Sequence, residues 1–134
     1  MFNKVMAHKI GAVLYLLWGV LHIKAAIATY QLGATLVPGL VQGRVYQDAW
    51  NLVFFAIAVS LIAIILNWRN SRLGFWLNLG IASVTDLGFI IHILLPGYLP
   101  FIPGIAGPVL WLLAVIFTFI ALRETKSMTS VHAN

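Results

Sequence analysis

Cysteine is absent and charge is scarce. The 134 residues include no Cys, three acidic side chains and eight Lys or Arg, so 8% of the chain is charged against 62% hydrophobic. The missing thiols exclude thiol–disulfide chemistry, thiolate metal centres and structural disulfides. A soluble domain carries roughly 25% charged residues, so this chain cannot clothe itself for water. The few acids also leave a thin chemical inventory. No H-E-x-x-H or G-x-S-x-G motif occurs, and two Asp with two His at membrane depth do not complete a nucleophile–base or metal set. No enzymatic activity is therefore expected. The net charge of +5 comes without a basic cluster that would track phosphates, which argues against nucleic acid as a partner.

What the chain does have is apolar runs of bilayer length. A membrane-spanning helix needs about 20 consecutive apolar residues, and four such segments can be drawn, at about 10–30, 48–68, 73–95 and 104–122. The expected fold class is all-α, an integral membrane protein of four antiparallel transmembrane helices forming one domain over 1–134. Residues 123–134 read as a polar, disordered tail that includes His132. Residues 31–47, with Gly33, Pro38, Gly39 and Gly43, read as an interfacial loop, and residues 96–108, with four Pro, as an apolar cap that cannot be continuous helix. Residues 67–72 are a turn short enough only to join antiparallel neighbours. The basic start, apolar middle and Ala26-Ile27-Ala28 also fit a signal peptide. The apolar run outlasts a usual h-region, however, and Lys24 would sit just before the cut, so a retained first span is favoured.

Within these spans a few polar residues stand out. A carboxylate at mid-membrane costs about 2.5–3.5 kcal/mol on insertion scales, so Asp86 must face a partner, a cavity or a pathway. Counting about 1.5 Å per residue from the basic end places His22 about 18 Å up, Asp86 about 20 Å and His92 nearer 28 Å. Asp86 is accordingly expected to contact the first span near His22 or Lys24, beneath the 96–108 cap. Lys24, His92 and Asn78 complete the ligand- or proton-binding candidates. Each has a plainer reading: Lys24 snorkels to headgroups or pairs with Asp86, His92 is a solvated helix-end residue, and Asn78 makes an interhelical hydrogen bond. Lys24 lies about 200° round the helix from His22. Asp48 and Asn51 read as helix-start residues, with Asp48 a cap. On the first span, Ala12, Gly19 and Ala26 form a small-residue strip for close helix approach, beside a more polar strip of Tyr15, Trp18, His22 and Thr29.

Two readings of function remain. The favoured one is an accessory or assembly subunit of a membrane complex, partnered by the lipid bilayer and by other membrane subunits or further copies of itself. The other is a small-molecule or proton-coupled binding or transport protein whose polar site is built on Asp86 and His22. No cofactor is expected. Haem held between His22 and His92 would have to bridge a depth difference of about 10 Å. Small multidrug exporters share the size and helix count, but their carboxylate is on the first helix, where this chain carries His22. The Gly-x-x-His-x-Lys run from Gly19 to Lys24 resembles one in small four-helix DoxX-type bacterial membrane proteins. It spans six residues and implies no activity. The expected location is the cell membrane, as a multi-pass bacterial inner-membrane protein.

Orientation follows from the cations. Lys4, Lys9, Arg69, Arg72, Arg123 and Lys126 fall on one side of four spans and only Arg44 in the loops of the other, which puts both termini in the cytoplasm. Reporter fusions after Asn134 and within residues 67–72 should read cytoplasmic, and one at Gly43 external. External signals at both of the first two positions would overturn the assignment.

Overall fold

The computed structural model describes the backbone of residues 4–131 and the side chains of residues 6–123. His132 and the side chains of Lys4 and Lys126 lie outside that range. The described chain is all helix: α1 Lys4–Ala34, α2 Leu40–Ile65, α3 Arg72–Phe89, a single turn α4 Phe101–Gly104, and α5 Ala106–Val131. Four segments are long and apolar enough to cross a bilayer: Met6–Ala34, Leu40–Arg69, Arg72–Leu94 and Ala106–Arg123.

Close approaches show how the four long helices run. Gly19 meets Ala56 and Ser60, and Gly33 meets Tyr46. Gly74 meets Leu66 while Asn78 bonds Val59, and Phe75 meets Phe119 while Ser83 bonds Trp111. Gly11 meets Thr118, and Gly107 meets His22. In each helix pair one number rises as the other falls, so neighbours are antiparallel. α1 packs along α2 and α5, and α3 packs along the same two helices. α1 and α3 therefore stand diagonally across a four-helix bundle.

The helix limits differ from the sequence reading in three places. The 31–47 segment is not a loop: α1 continues to Ala34 and α2 begins at Leu40. Gly33 and Gly43 had suggested loop, but a single helical glycine costs only about 1 kcal/mol, and the real break is Pro38-Gly39. Gly33 has a packing role, since a Cβ there would come 2.7 Å from the Tyr46 ring. The Gln42 side chain, from the first turn of α2, donates to the Gly33 and Leu36 carbonyls at 3.1 and 3.2 Å and ties off the end of α1. Asp48 consequently lies in the third turn of α2, exposed, and caps nothing. The third difference is the tail, which is helical as far as Val131. No Gly or Pro follows Pro108 to stop α5.

The turn between α2 and α3 closes as expected. A 3₁₀ turn at Asn67–Arg69 leads to Asn70 in the left-handed region (φ 54°). Ser71 then caps α3 by accepting from the Gly74 N–H at 3.4 Å. After Phe89 the chain widens into π-helix over Ile90–Leu94, where the Leu95 N–H reaches back to the Ile90 carbonyl at 2.8 Å.

The buried interior is narrow. Ala12, Tyr15, Trp18, Val59, Ala63, Ala82 and Ala114 form the core. Small residues let the neighbouring helices close up, while Tyr15 and Trp18 fill the middle. The strip of Ala12, Gly19 and Ala26 is buried. A Cβ on Gly19 would collide with the Ser60 hydroxyl and sit 3.1 Å from the Ala56 carbonyl. Gly19→Leu should therefore destabilise the bundle by about 1–3 kcal/mol or prevent folding. Val20→Leu, at a position 63% exposed, should stay within about 0.5 kcal/mol. Thermal unfolding in detergent separates the two, and equal mild effects would show that the Gly19 face is not an interface.

Candidate functional site

On α3 the buried residues Gly74, Phe75, Asn78, Ala82 and Asp86 recur every three or four positions, which is one face of a helix. That face puts two polar side chains into the bundle at different levels. Asn78, fully buried, donates to the Val59 carbonyl of α2 at 3.2 Å. This is the interhelical hydrogen bond expected of it. Two turns further along, Asp86 is 1% exposed and looks across the diagonal at α1.

The residue that receives it is Trp18. Its indole N–H donates to Asp86 Oδ2 at 2.7 Å. Packed helices lie about 8–10 Å apart, and a diagonal is longer still. Only a large side chain spans that gap, and Trp brings a donor at its tip. Trp18 also stacks on His22, one turn along α1, with ring centroids 3.6 Å apart. His22, 7% exposed, turns its Nδ1 to the Trp18 carbonyl at 2.9 Å. Its Nε2 faces Asp86 Oδ1 at 3.8 Å.

Which ring nitrogen of His22 carries hydrogen is inferred from what each one faces. A carbonyl oxygen can only accept, so Nδ1 must carry the hydrogen. In neutral imidazole Nε2 is then an acceptor. Asp86 Oδ1 has no hydrogen-bond partner, and 3.8 Å exceeds hydrogen-bonding range. Two acceptors thus confront each other in a buried site. A single proton placed on either one would supply the missing bond.

The 96–108 segment covers the pair. A Cβ on Gly107 would lie 3.4 Å from Asp86 Oδ1 and 3.5 Å from His22 Cε1, so the first turn of α5 packs directly on the carboxylate. That end of a helix carries positive partial charge. Gly104, whose Cβ would come 2.8 Å from Leu94 Cδ1, lets the approach to α5 close on the π-helical segment.

The other candidates are not assembled here. Lys24 is exposed, on the far side of α1 from His22, so the ion pair that it was one candidate to make with Asp86 is replaced by the Trp18 and His22 contacts. His92 is exposed within the π-helical turn. Among the described residues no three His, Asp or Glu side chains converge. Trp18 is the residue that sequence reasoning underrated. It belonged to the polar strip, and its mid-span position, away from the interfaces where Trp usually anchors, was the available signal.

Substitutions at Asp86 should read out this wiring. An Asn can accept from Trp18 with its oxygen and donate to His22 Nε2 with its nitrogen, so Asp86→Asn should fold nearly as well as the native chain. Asp86→Leu strands the indole N–H of Trp18, at a cost of about 1–3 kcal/mol. Thermal unfolding in detergent should rank Asn well above Leu, and equal losses would contradict the geometry. No protein-family description, curated protein or solved structure matches the chain, and the DoxX-type likeness of Gly19–Lys24 gains no support from those comparisons.

Proposed function

We propose that this is a multi-pass membrane protein that binds one exchangeable proton between Asp86 and His22, and that its function belongs to the proton-coupled binding or transport class. The observation carrying this reading is the unpartnered Asp86 Oδ1 facing the His22 Nε2 lone pair at 3.8 Å. Intramembrane ionisable residues that face a bundle interior commonly mark proton relays or substrate paths. The site is closed, with both side chains buried, so the ligand it suits best is a proton. Protonation would pull α1 and α3 together across the diagonal and under the first turn of α5. A change of charge at one point would then reach three of the four long helices. The six-to-one cation bias supports cytoplasmic termini, with the pair towards the outer side of a cell membrane.

The accessory-subunit reading stays as the second. It is favoured by the apolar turn between α1 and α2, where Val37 is 84% exposed and Leu40 79%. There, Asp86 would serve only to lock α3 onto α1.

Trp18 offers a direct reporter, because its ring stacks on His22 and bonds to Asp86. Indole fluorescence titrated between about pH 5 and pH 9, the range in which histidine responds, should show a transition in the native protein. Asp86→Asn and Trp18→Phe should each abolish that transition. The same transition in all three proteins would defeat the proton reading and leave the locking role.

A further inference from the structure

The basic end of the bundle carries a second feature, remote from the Asp86 pair. Between the start of α3 and the latter part of α5 lies a groove of about 260 Å³ lined by Arg72, Phe75, Trp76, Phe119, Leu122 and Arg123. Phe75 and Phe119 approach with ring centroids 6.2 Å apart, and Trp76 packs edge-on against Phe75 at 5.2 Å. The Arg123 guanidinium lies 4.6 Å over the Phe119 ring, which holds it at the rim. Arg72 is the first residue of α3. Neither guanidinium has a carboxylate partner among the described residues.

The depth of the two cations is informative. Arg72 opens an apolar span, and at Arg123 the apolar run of α5 gives way in sequence to the polar stretch Glu124-Thr125-Lys126-Ser127, so both stand at the hydrocarbon boundary. The aromatic lining lies one helical turn further in, about 5 Å deeper. The groove thus presents paired cations at headgroup level above an apolar slot at acyl-chain level. Guanidinium forks bind phosphate oxygens in bidentate fashion, and basic clefts between membrane helices take anionic headgroups.

We propose that this groove is a binding site for an anionic phospholipid. The phosphate lies between Arg72 and Arg123, and one acyl chain runs along Phe75, Trp76 and Phe119. A zwitterionic lipid offers the same phosphate but brings its own cation against the two arginines, so it is discriminated against. The proposal rests on the membrane-embedded reading and is independent of the proton pair.

The test uses the full chain purified in detergent, titrated with phosphatidylglycerol, phosphatidylcholine or inorganic phosphate and read by native mass spectrometry and thermal shift. Phosphatidylglycerol should bind and raise the melting temperature, phosphatidylcholine should bind about tenfold more weakly or worse, and inorganic phosphate should have no effect. Arg72→Gln with Arg123→Gln should lose the preference, a drop of about tenfold or more for two charge-assisted contacts. Arg69→Gln, at the same end but outside the groove, should keep it. Should the double variant not fold, Arg72→Lys and Arg123→Lys keep the charge and should weaken binding only in part. Equal binding of both lipids, an equal loss in Arg69→Gln, or full stabilisation by phosphate alone would each overturn the site. A chain that fails to co-float with vesicles of either lipid would instead overturn the membrane reading beneath it.

Discussion

The hydrogen bond from Trp18 to Asp86 is the contact on which the bundle's interior depends. It joins the two helices that do not otherwise pack closely, and it places a carboxylate where leaving it bare would cost several kcal/mol. Around it the sequence alternates extremes of size. Gly11, Gly19 and Ala12 draw α5 and α2 close to α1, and Trp18 and Tyr15 fill the space this leaves along the axis. A smaller residue at Trp18 would leave both a void and an unmet acceptor. A larger one at Gly19 would separate the helices that hold Trp18 in place. The site and the packing are therefore one construction.

That construction satisfies one carboxylate oxygen and leaves the other without a donor. The Tyr15 hydroxyl and Asn78 Oδ1 are likewise without a partner among the described residues, so what sets Asp86 apart is that its second oxygen faces His22 Nε2 at 3.8 Å. Here the second oxygen looks at Nε2 of a ring whose Nδ1 faces the Trp18 carbonyl, an arrangement that in the neutral imidazole leaves Nε2 an acceptor. The opposite end of the bundle has a different chemistry, with exposed Arg72 and Arg123 beside an open aromatic groove, so these polar residues divide between a closed interior pair and an exposed basic rim.

Much of this was legible from residues alone, for reasons that can be named. Span number and approximate position follow from apolar length. Depth counting put His22 and Asp86 at nearly the same level, and they lie 3.8 Å apart. Depth alone could not say which helices sit diagonally, so it did not single out Trp18, whose indole N–H reads in sequence like any core aromatic. Gly33 and Gly43 read as loop because sequence does not distinguish a glycine that breaks a helix from one that admits a neighbouring ring such as Tyr46. Lys24, a candidate partner for Asp86, and Asp48, read as a helix cap, are both exposed. Their direction depended on where α1 faces and on where α2 begins, and the second was misjudged by eight residues. The π-helical turn at Ile90–Leu94 has no sequence mark comparable to Pro or Gly.

The central claim is a statement about one proton, and nitrogen NMR of His22 in the lipid-reconstituted protein addresses it most directly. With ¹⁵N-labelled histidine and an assignment by His22→Gln, the neutral ring should carry its hydrogen on Nδ1, and acidification should add the second at Nε2, in a step that Asp86→Asn alters. A neutral ring protonated at Nε2 instead would contradict the account, because His22 would then already donate to Asp86 and no proton position would be left vacant.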